Sequence, residues 1–130
     1  DKLCQAIMVS ELSELHDYPE YQNADVVIID EAQFYDDLHT FISNALLRTN
    51  QKYKIFIVGG LSGDSNMNPM GDITKLVPLA DSIEKLNAYC AICKDGTLAS
   101  FTKRLVKNDS QILVGKNNLY IPVCRKHHKI

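Results

Sequence analysis

Two clusters in this sequence carry side chains able to do chemistry. The first joins Cys90-Ala91-Ile92-Cys93 to Cys124-Arg125-Lys126-His127, a C-x2-C knuckle and a C-x2-H knuckle. Three thiolates and one imidazole fill the four tetrahedral positions of one zinc ion. A site closed by four protein ligands is structural, because catalytic zinc keeps a position for water. His128 competes with His127 for the fourth place. The inner gap, Cys93 to Cys124, exceeds the about 15–20 residues of a compact ribbon, so a long inserted loop is expected between the knuckles. Cys4 has no partner motif and reads as a buried or idle thiol. Thiols kept for a metal imply a reducing, intracellular setting.

The second cluster is Asp30-Glu31, at the end of the β-branched run Val26-Val27-Ile28-Ile29. Such a run fits a strand buried on both faces of a parallel sheet, and ligands bind at the carboxyl ends of such strands. There one carboxylate can hold Mg²⁺ while the other accepts a proton or positions a nucleophile. The competing reading is a strand end carrying two solvated acids. A Walker B strand of this kind needs a phosphate-cradling G-x-x-x-x-G-K-[ST] loop, and none occurs. Gly59-Gly60-Leu61-Ser62-Gly63-Asp64 lacks the Lys and follows the wrong strand. The chain opens on Asp1, and the expectation is of a fragment whose phosphate loop lay upstream.

The elements that must position these residues follow from periodicity. Ala6–Val9 reads as a possible strand, with a break at Tyr18-Pro19. Asp36 or Asp37 caps a helix of about four turns, whose apolar positions are Leu38, Phe41, Ile42, Ala45 and Leu46. Tyr53–Val58 is a second buried strand, which completes a βαβ unit with parallel strands. Residues 59–71 form a Gly- and Asn-rich loop. Helical spacing resumes over Ile73–Leu86, with Pro78 opening a second short helix. Phe101–Val106 and Leu119–Val123 read as strands of a zinc subdomain. The predicted class is therefore α/β, a partial P-loop-type parallel sheet with flanking helices over residues 1–86, plus a small zinc ribbon over 87–130.

Composition excludes other classes. The 130 residues are 45% apolar and 23% charged, ordinary globular proportions that rule out wholesale disorder. The formal net charge of −2 provides no basic footprint for nucleic acid. No apolar run approaches the about 20 residues of a membrane helix, and no secretory signal opens the chain.

An ordered set of motifs narrows the reading. Asp30-Glu31-Ala32-Gln33-Phe34-Tyr35 precedes Gly60-Leu61-Ser62-Gly63-Asp64, Pro69-Met70-Gly71 and Leu76-Val77-Pro78-Leu79-Ala80-Asp81. Phe101-Thr102-Lys103-Arg104-Leu105 and Tyr120-x3-Cys124-x2-His127 follow. Together, from about Ala24 to His127, they closely resemble the zinc-containing cellular/poxviral-type thymidine kinases. The resemblance implies a P-loop α/β domain and a zinc ribbon whose lasso loop closes over the nucleoside. It implies Glu31 as the base taking the proton of the deoxyribose 5′-hydroxyl. Asp30, Glu31, Ala32 and Gln33 match the stretch lining the ATP–Mg²⁺ site, with Asp1 as a further ATP contact. Gln111, Ile112, Leu113, Val114 and Gly115 match the lasso, Tyr120 the aromatic at the nucleoside, and Leu61 and Thr102 the 5-methyl pocket. Zinc, Mg²⁺, ATP, thymidine, dTTP as feedback inhibitor, a homotetramer and a cytoplasmic location are implied in the same way.

Two departures from the family pattern stand out, one at pocket positions and the other the missing Walker A loop. Ser65 stands where the family that the sequence resembles usually has an aromatic that stacks on the thymine ring, a contact worth about 1–3 kcal/mol per base. Met67 and Met70 stand where a basic residue and Phe are common. Leu61 and Thr102 also read as ordinary packing, Tyr120 as a core aromatic, Lys103 and Arg104 as a solvated face, and His16 and His39 as surface residues. Two rival functions are a helicase or other P-loop ATPase, from the DEAD-like Asp30–Gln33, and a non-catalytic zinc-ribbon module. Without a phosphate loop, the 130 residues alone are expected to have negligible kinase activity.

Overall fold

The computed structural model describes residues 6–47, 53–106 and 119–128, which divide into two compact units. The first holds the described residues through Leu61 together with Gly71–Leu79. The second holds Ser62–Met70 and the described residues from Ala80 on.

In the first unit a 3-10 helix (Leu12–Asp17) and α1 (Pro19–Asn23) lead into β1 (Val26–Ile29). A 3-10 turn (Ala32–Phe34), α2 (Leu38–Leu47), β2 (Ile55–Val58) and a 3-10 helix (Ile73–Leu79) follow. β1 and β2 pair in parallel, from Val26 opposite Ile55 to Ile29 opposite Val58. Parallel neighbours need a crossover rather than a tight turn, and α2 lies within it. The pairing runs on past the strands: the Gly59 N–H donates to Ile29 O at 2.9 Å, and the Ala32 N–H donates to Gly59 O at 3.0 Å. Asp30 is thereby held beside Gly59.

The core of this unit gathers Leu12, Leu15, Tyr21, Ile29, Ala32, Leu38, Phe41 and Ile42. Leu38, Phe41 and Ile42 are the buried stripe of α2 that the spacing predicts, each worth about 1.5–3 kcal/mol of apolar burial. Leu46, on the same predicted stripe, is exposed. Lys54 joins α1 to β2 by donating to three carbonyls, Tyr21 O, Gln22 O and Ala24 O, at 2.7–3.0 Å.

Several expectations are corrected here. Among the described residues, β1 is covered on one face: Ile29 is 4% exposed but Ile28 is 70%, and Ile55 and Ile57 of β2 are exposed beside it. A sheet face stays dry only where another layer covers it, and the described helices cover one side. Ala6–Val9 forms no strand, because no described segment runs beside it to complete a ladder; Ile7 and Val9 pack on the core by side chain alone. In place of two helices over Ile73–Leu86 there is one 3-10 helix, Ile73–Leu79, with Pro78 inside it. Among the described residues nothing covers its continuation, where Ile83 and Leu86 are exposed, and short helices depend on such packing. Asp37 does not use its carboxylate on α2. Asp37 Oδ1 and Oδ2 instead accept the N–H groups of Leu12 (3.0 Å) and Ser13 (2.8 Å), two free donors opening the first 3-10 helix. His16 is half-buried between the rings of Tyr21 and Phe41 rather than on the surface.

Among its described residues the second unit has two antiparallel strand pairs. β3 (Ala88–Tyr89) pairs with β4 (Leu98–Ala99), and β5 (Phe101–Arg104) with β6 (Tyr120–Val123), which leads into α3 (Arg125–His128). The strand over 101–106 is thus shorter than its sequence suggests. Cys90, Ala99 and Val123 form its small core, with Cys93, Phe101, Ile121 and Cys124 packed against them.

Candidate functional site

The β3–β4 turn is built so that two thiols point the same way. Lys94 and Gly96 take left-handed conformations (φ 56° and 88°), Asp95 Oδ1 accepts the N–H and hydroxyl of Thr97, and the Cys90 N–H donates to Thr97 O at 2.8 Å. Those Thr97 bonds hold the Asp95 carboxyl below its usual range. The second knuckle closes where β6 enters α3, whose His127 and His128 N–H groups donate to Cys124 O at 3.1 Å.

The two knuckles bring Cys90, Cys93, Cys124 and His127 together, with one donor atom from each within 4.8 Å of all the others. Cys93 Sγ lies 3.8 Å from Cys124 Sγ, and His127 Nδ1 lies 3.6, 3.3 and 3.4 Å from the sulfurs of Cys90, Cys93 and Cys124. Bond lengths of about 2.3 Å to sulfur and about 2.0–2.1 Å to nitrogen place tetrahedral edges near about 3.8 Å for S···S and about 3.5 Å for S···N. The donor set fits zinc. His128 is not part of the cluster: its Nε2 lies 2.8 Å from Ser65 O. Burial pushes the Cys90 thiol up, but N–H groups of Cys93, Cys124 and Ile92 and the His127 ring outweigh this and bring it down to about 5. Burial, with Cys90 and Cys124 close by, pushes Cys93 up to about 11. Cys4 lies outside the described residues.

The acidic strand end stands at the close of β1. Asp30 and Glu31 are both exposed, and Asp30 Oδ1 accepts the Glu31 N–H at 2.9 Å. Glu31 has φ 49° and ψ 39°, a left-handed conformation costing a non-glycine residue about 1–2 kcal/mol. It turns the chain sharply into the buried Ala32-Gln33 step. Gln33, 5% exposed, donates from Nε2 to Glu31 Oε2 at 2.5 Å, and its Oε1 accepts the Leu61 N–H at 3.0 Å. Beyond Leu61, the loop of the second unit is organised by Asp64, whose Oδ1 accepts the N–H groups of Asn66 (2.8 Å) and Asn68 (2.9 Å). Sequence reasoning did not single out Asp64, though Asp followed by Asn at two and four residues is an Asx-turn signal.

The remaining predicted site residues divide between the two units. Leu61, in the first, is half-exposed. In the second, Thr102 sits on β5 opposite Pro122, and Tyr120 on β6 opposite Arg104, whose guanidinium lies 5.3 Å from the Tyr120 ring centre. Lys103 donates to His127 O at 3.2 Å, so Lys103 and Arg104 have partners rather than forming a purely solvated face. Asp1 and Gln111, Ile112, Leu113, Val114 and Gly115 lie outside the described residues.

Comparison with known proteins converges on one family. The thymidine kinase family model matches residues 2–128. Thymidine kinase of Oryza sativa subsp. japonica is 44% identical over 108 residues, covering 83% of this chain and 38% of the relative. Thymidine kinase a of Arabidopsis thaliana is 39% identical over 123 residues, 90% of this chain and 50% of the relative. Thymidine kinase of Mycoplasma genitalium is 35% identical over 127 residues, 95% of this chain and 57% of the relative. The chain spans about half the length of the curated relatives it matches. With a family match along nearly its full length, the chain belongs to the thymidine kinase family.

Proposed function

We propose that these residues are the acceptor-activating and metal-binding portion of an ATP-dependent thymidine kinase, which moves a phosphoryl group to the 5′-hydroxyl of thymidine or a deoxyuridine-type nucleoside. The observation that carries this is a carboxylate, Glu31, held at the carboxyl end of a parallel strand in a chain of this family. Phosphoryl transfer is mostly positioning and charge stabilisation, with one base oriented on the acceptor hydroxyl. Glu31 is that base. Asp30 is the carboxylate for Mg²⁺, which screens the phosphate charge when ATP is bound. Ala32 and Asp1 complete the ATP–Mg²⁺ side. Leu61, Ser65, Thr102, Tyr120 and Gln111–Gly115 contact the nucleoside. Lasso backbone groups hydrogen-bond the pyrimidine edge, where a wrong base would leave peptide groups unpaired at about 1–3 kcal/mol each. Cys90, Cys93, Cys124 and His127 hold a structural zinc. The phosphate cradle, a P-loop sheet, a homotetramer, dTTP feedback and a cytoplasmic location belong to the same reading. Among the described residues no helix is long and apolar enough to cross a membrane.

The test is isotope transfer from labelled ATP to thymidine by the full-length protein. Glu31→Gln is expected to lower kcat about 10²- to 10⁴-fold with KM for ATP held within twofold. Full activity of Glu31→Gln would refute the assignment. The 130 residues alone, which contain no G-x-x-x-x-G-K-[ST] loop, are expected to show negligible turnover. DNA-stimulated ATP hydrolysis without thymidine phosphorylation would favour the P-loop ATPase reading instead.

A further inference from the structure

The resemblance puts Gln33 among the residues lining the ATP–Mg²⁺ site, yet the two ends of its side chain are both engaged inside the protein. A backbone N–H can only donate, so the amide oxygen must face Leu61. An ionised carboxylate can only accept, so the amide nitrogen must face Glu31. The orientation of the amide is thus fixed by its neighbours, with Oε1 on the loop and Nε2 on the base.

The surroundings are shaped to keep it there. A Cβ on Gly60 would stand within 2.4 Å of Gln33 Oε1, and a Cβ on Gly71, at φ +55°, within 2.2 Å of Gln33 O. Glycines on two separate loop segments therefore leave room for this one residue, which is nine-tenths buried. Glu31 is exposed and its backbone is strained. An exposed glutamate has free rotamers, and a general base must present one oxygen in one direction.

We infer that Gln33 is a positioning residue for Glu31: it holds Oε2, leaves Oε1 to face the acceptor hydroxyl, and ties the base to the Gly60–Leu61 loop. Because Leu61 is proposed to meet the nucleoside base, the same amide links the fit of the substrate to the orientation of the general base. This rests on the proposed role of Glu31 and names the residue on which that role depends.

Gln33→Glu keeps an acceptor for the Leu61 N–H and replaces the amide donor with a carboxyl group that repels Glu31 or shares one proton with it, so it alters the contact to the base alone. In the full-length protein it is expected to lower kcat about 10- to 100-fold, with KM for ATP and thymidine within twofold. Hydrogen exchange at the Leu61 amide should stay slow. Gln33→Met, which removes both bonds at similar volume, should lower kcat as much and also speed Leu61 exchange; it carries the test should Gln33→Glu fail to fold. Unchanged kcat in the folded variant, or a raised KM for ATP with kcat retained, would overturn the inference and return Gln33 to the nucleotide. Glu31→Gln assayed alongside keeps the two claims apart. If it retains activity the base assignment fails, whereas if it is inactive and Gln33→Glu is fully active only the positioning role fails.

Discussion

Glu31, Gln33 and Gly71 show how few atoms set the geometry of the acidic strand end. Glu31 turns left-handed two residues past the end of β1 and opens the Ala32–Phe34 turn. Gln33 then fills the space that Gly60 and Gly71 leave open. Gly71→Ala is expected to destabilise the protein by at least about 2 kcal/mol, since it adds backbone strain to a collision with the Gln33 carbonyl. Gly96→Ala offers the comparison. Gly96 is also left-handed (φ +88°) but a Cβ there meets nothing within 4 Å, so its cost should be strain alone, about 1–2 kcal/mol. Urea denaturation of both variants checks the order, and equal losses would mean that the Gln33 contact is unimportant. The pair Asp30-Glu31 was legible in the sequence as a pattern of types. The amide of Gln33 was not, because its partner Leu61 is 28 residues away and nothing local marks that contact.

At the scale of elements, one acid serves a helix to which it does not belong. Asp37 precedes α2, and local rules assign its side chain to that helix. It lies instead against the N–H groups of Leu12 and Ser13, so the 3-10 helix and α2 are joined by a cap given across the chain. Asp37→Ala is expected to cost about 1–2 kcal/mol, and Asp37→Asn, which keeps one carbonyl oxygen, less than half of that. Thermal melting of the two variants distinguishes this cross-chain cap from a surface acid, for which both changes would be silent. β1 and β2 show the same limit of local reading. Their apolar runs fit strands buried on both faces, yet Ile28, Ile55 and Ile57 lie exposed among the described residues. Residue type sets strand propensity, but burial depends on which layers pack on each side.

For the molecule as a whole, the hydrophobic cluster of the second unit gathers three buried residues among those described, Cys90, Ala99 and Val123, with Met70 buried apart from them. So small a core leaves its stability dependent on the metal the four donors fit, since binding free energy at such sites is folding free energy. One zinc per chain is expected by elemental analysis, and Cys124→Ser or a strong chelator should remove it and unfold the unit. Protons compete for the same atoms. At pH 7 Cys90, with its pKa near 5, is already a thiolate, while Cys93, near 11, must lose a proton to the solvent as zinc enters. Acidification therefore opposes binding, and zinc release followed with a colorimetric chelator should rise as the pH falls. Full retention at pH 4 would contradict a thiolate site.

The knuckle spacing, the acidic pair after a β-branched run, the α2 stripe and the ordered motifs of the family were all readable from the chain, because each depends on residues close in sequence or on a fixed period. Tertiary structure decided which histidine joins the sulfurs, and where the carboxylate of Asp37 and the amide of Gln33 find their partners. It also decided which sheet face is covered. These outcomes depend on contacts between distant segments, where hydrogen-bond geometry and excluded volume choose among partners that composition and spacing leave equivalent.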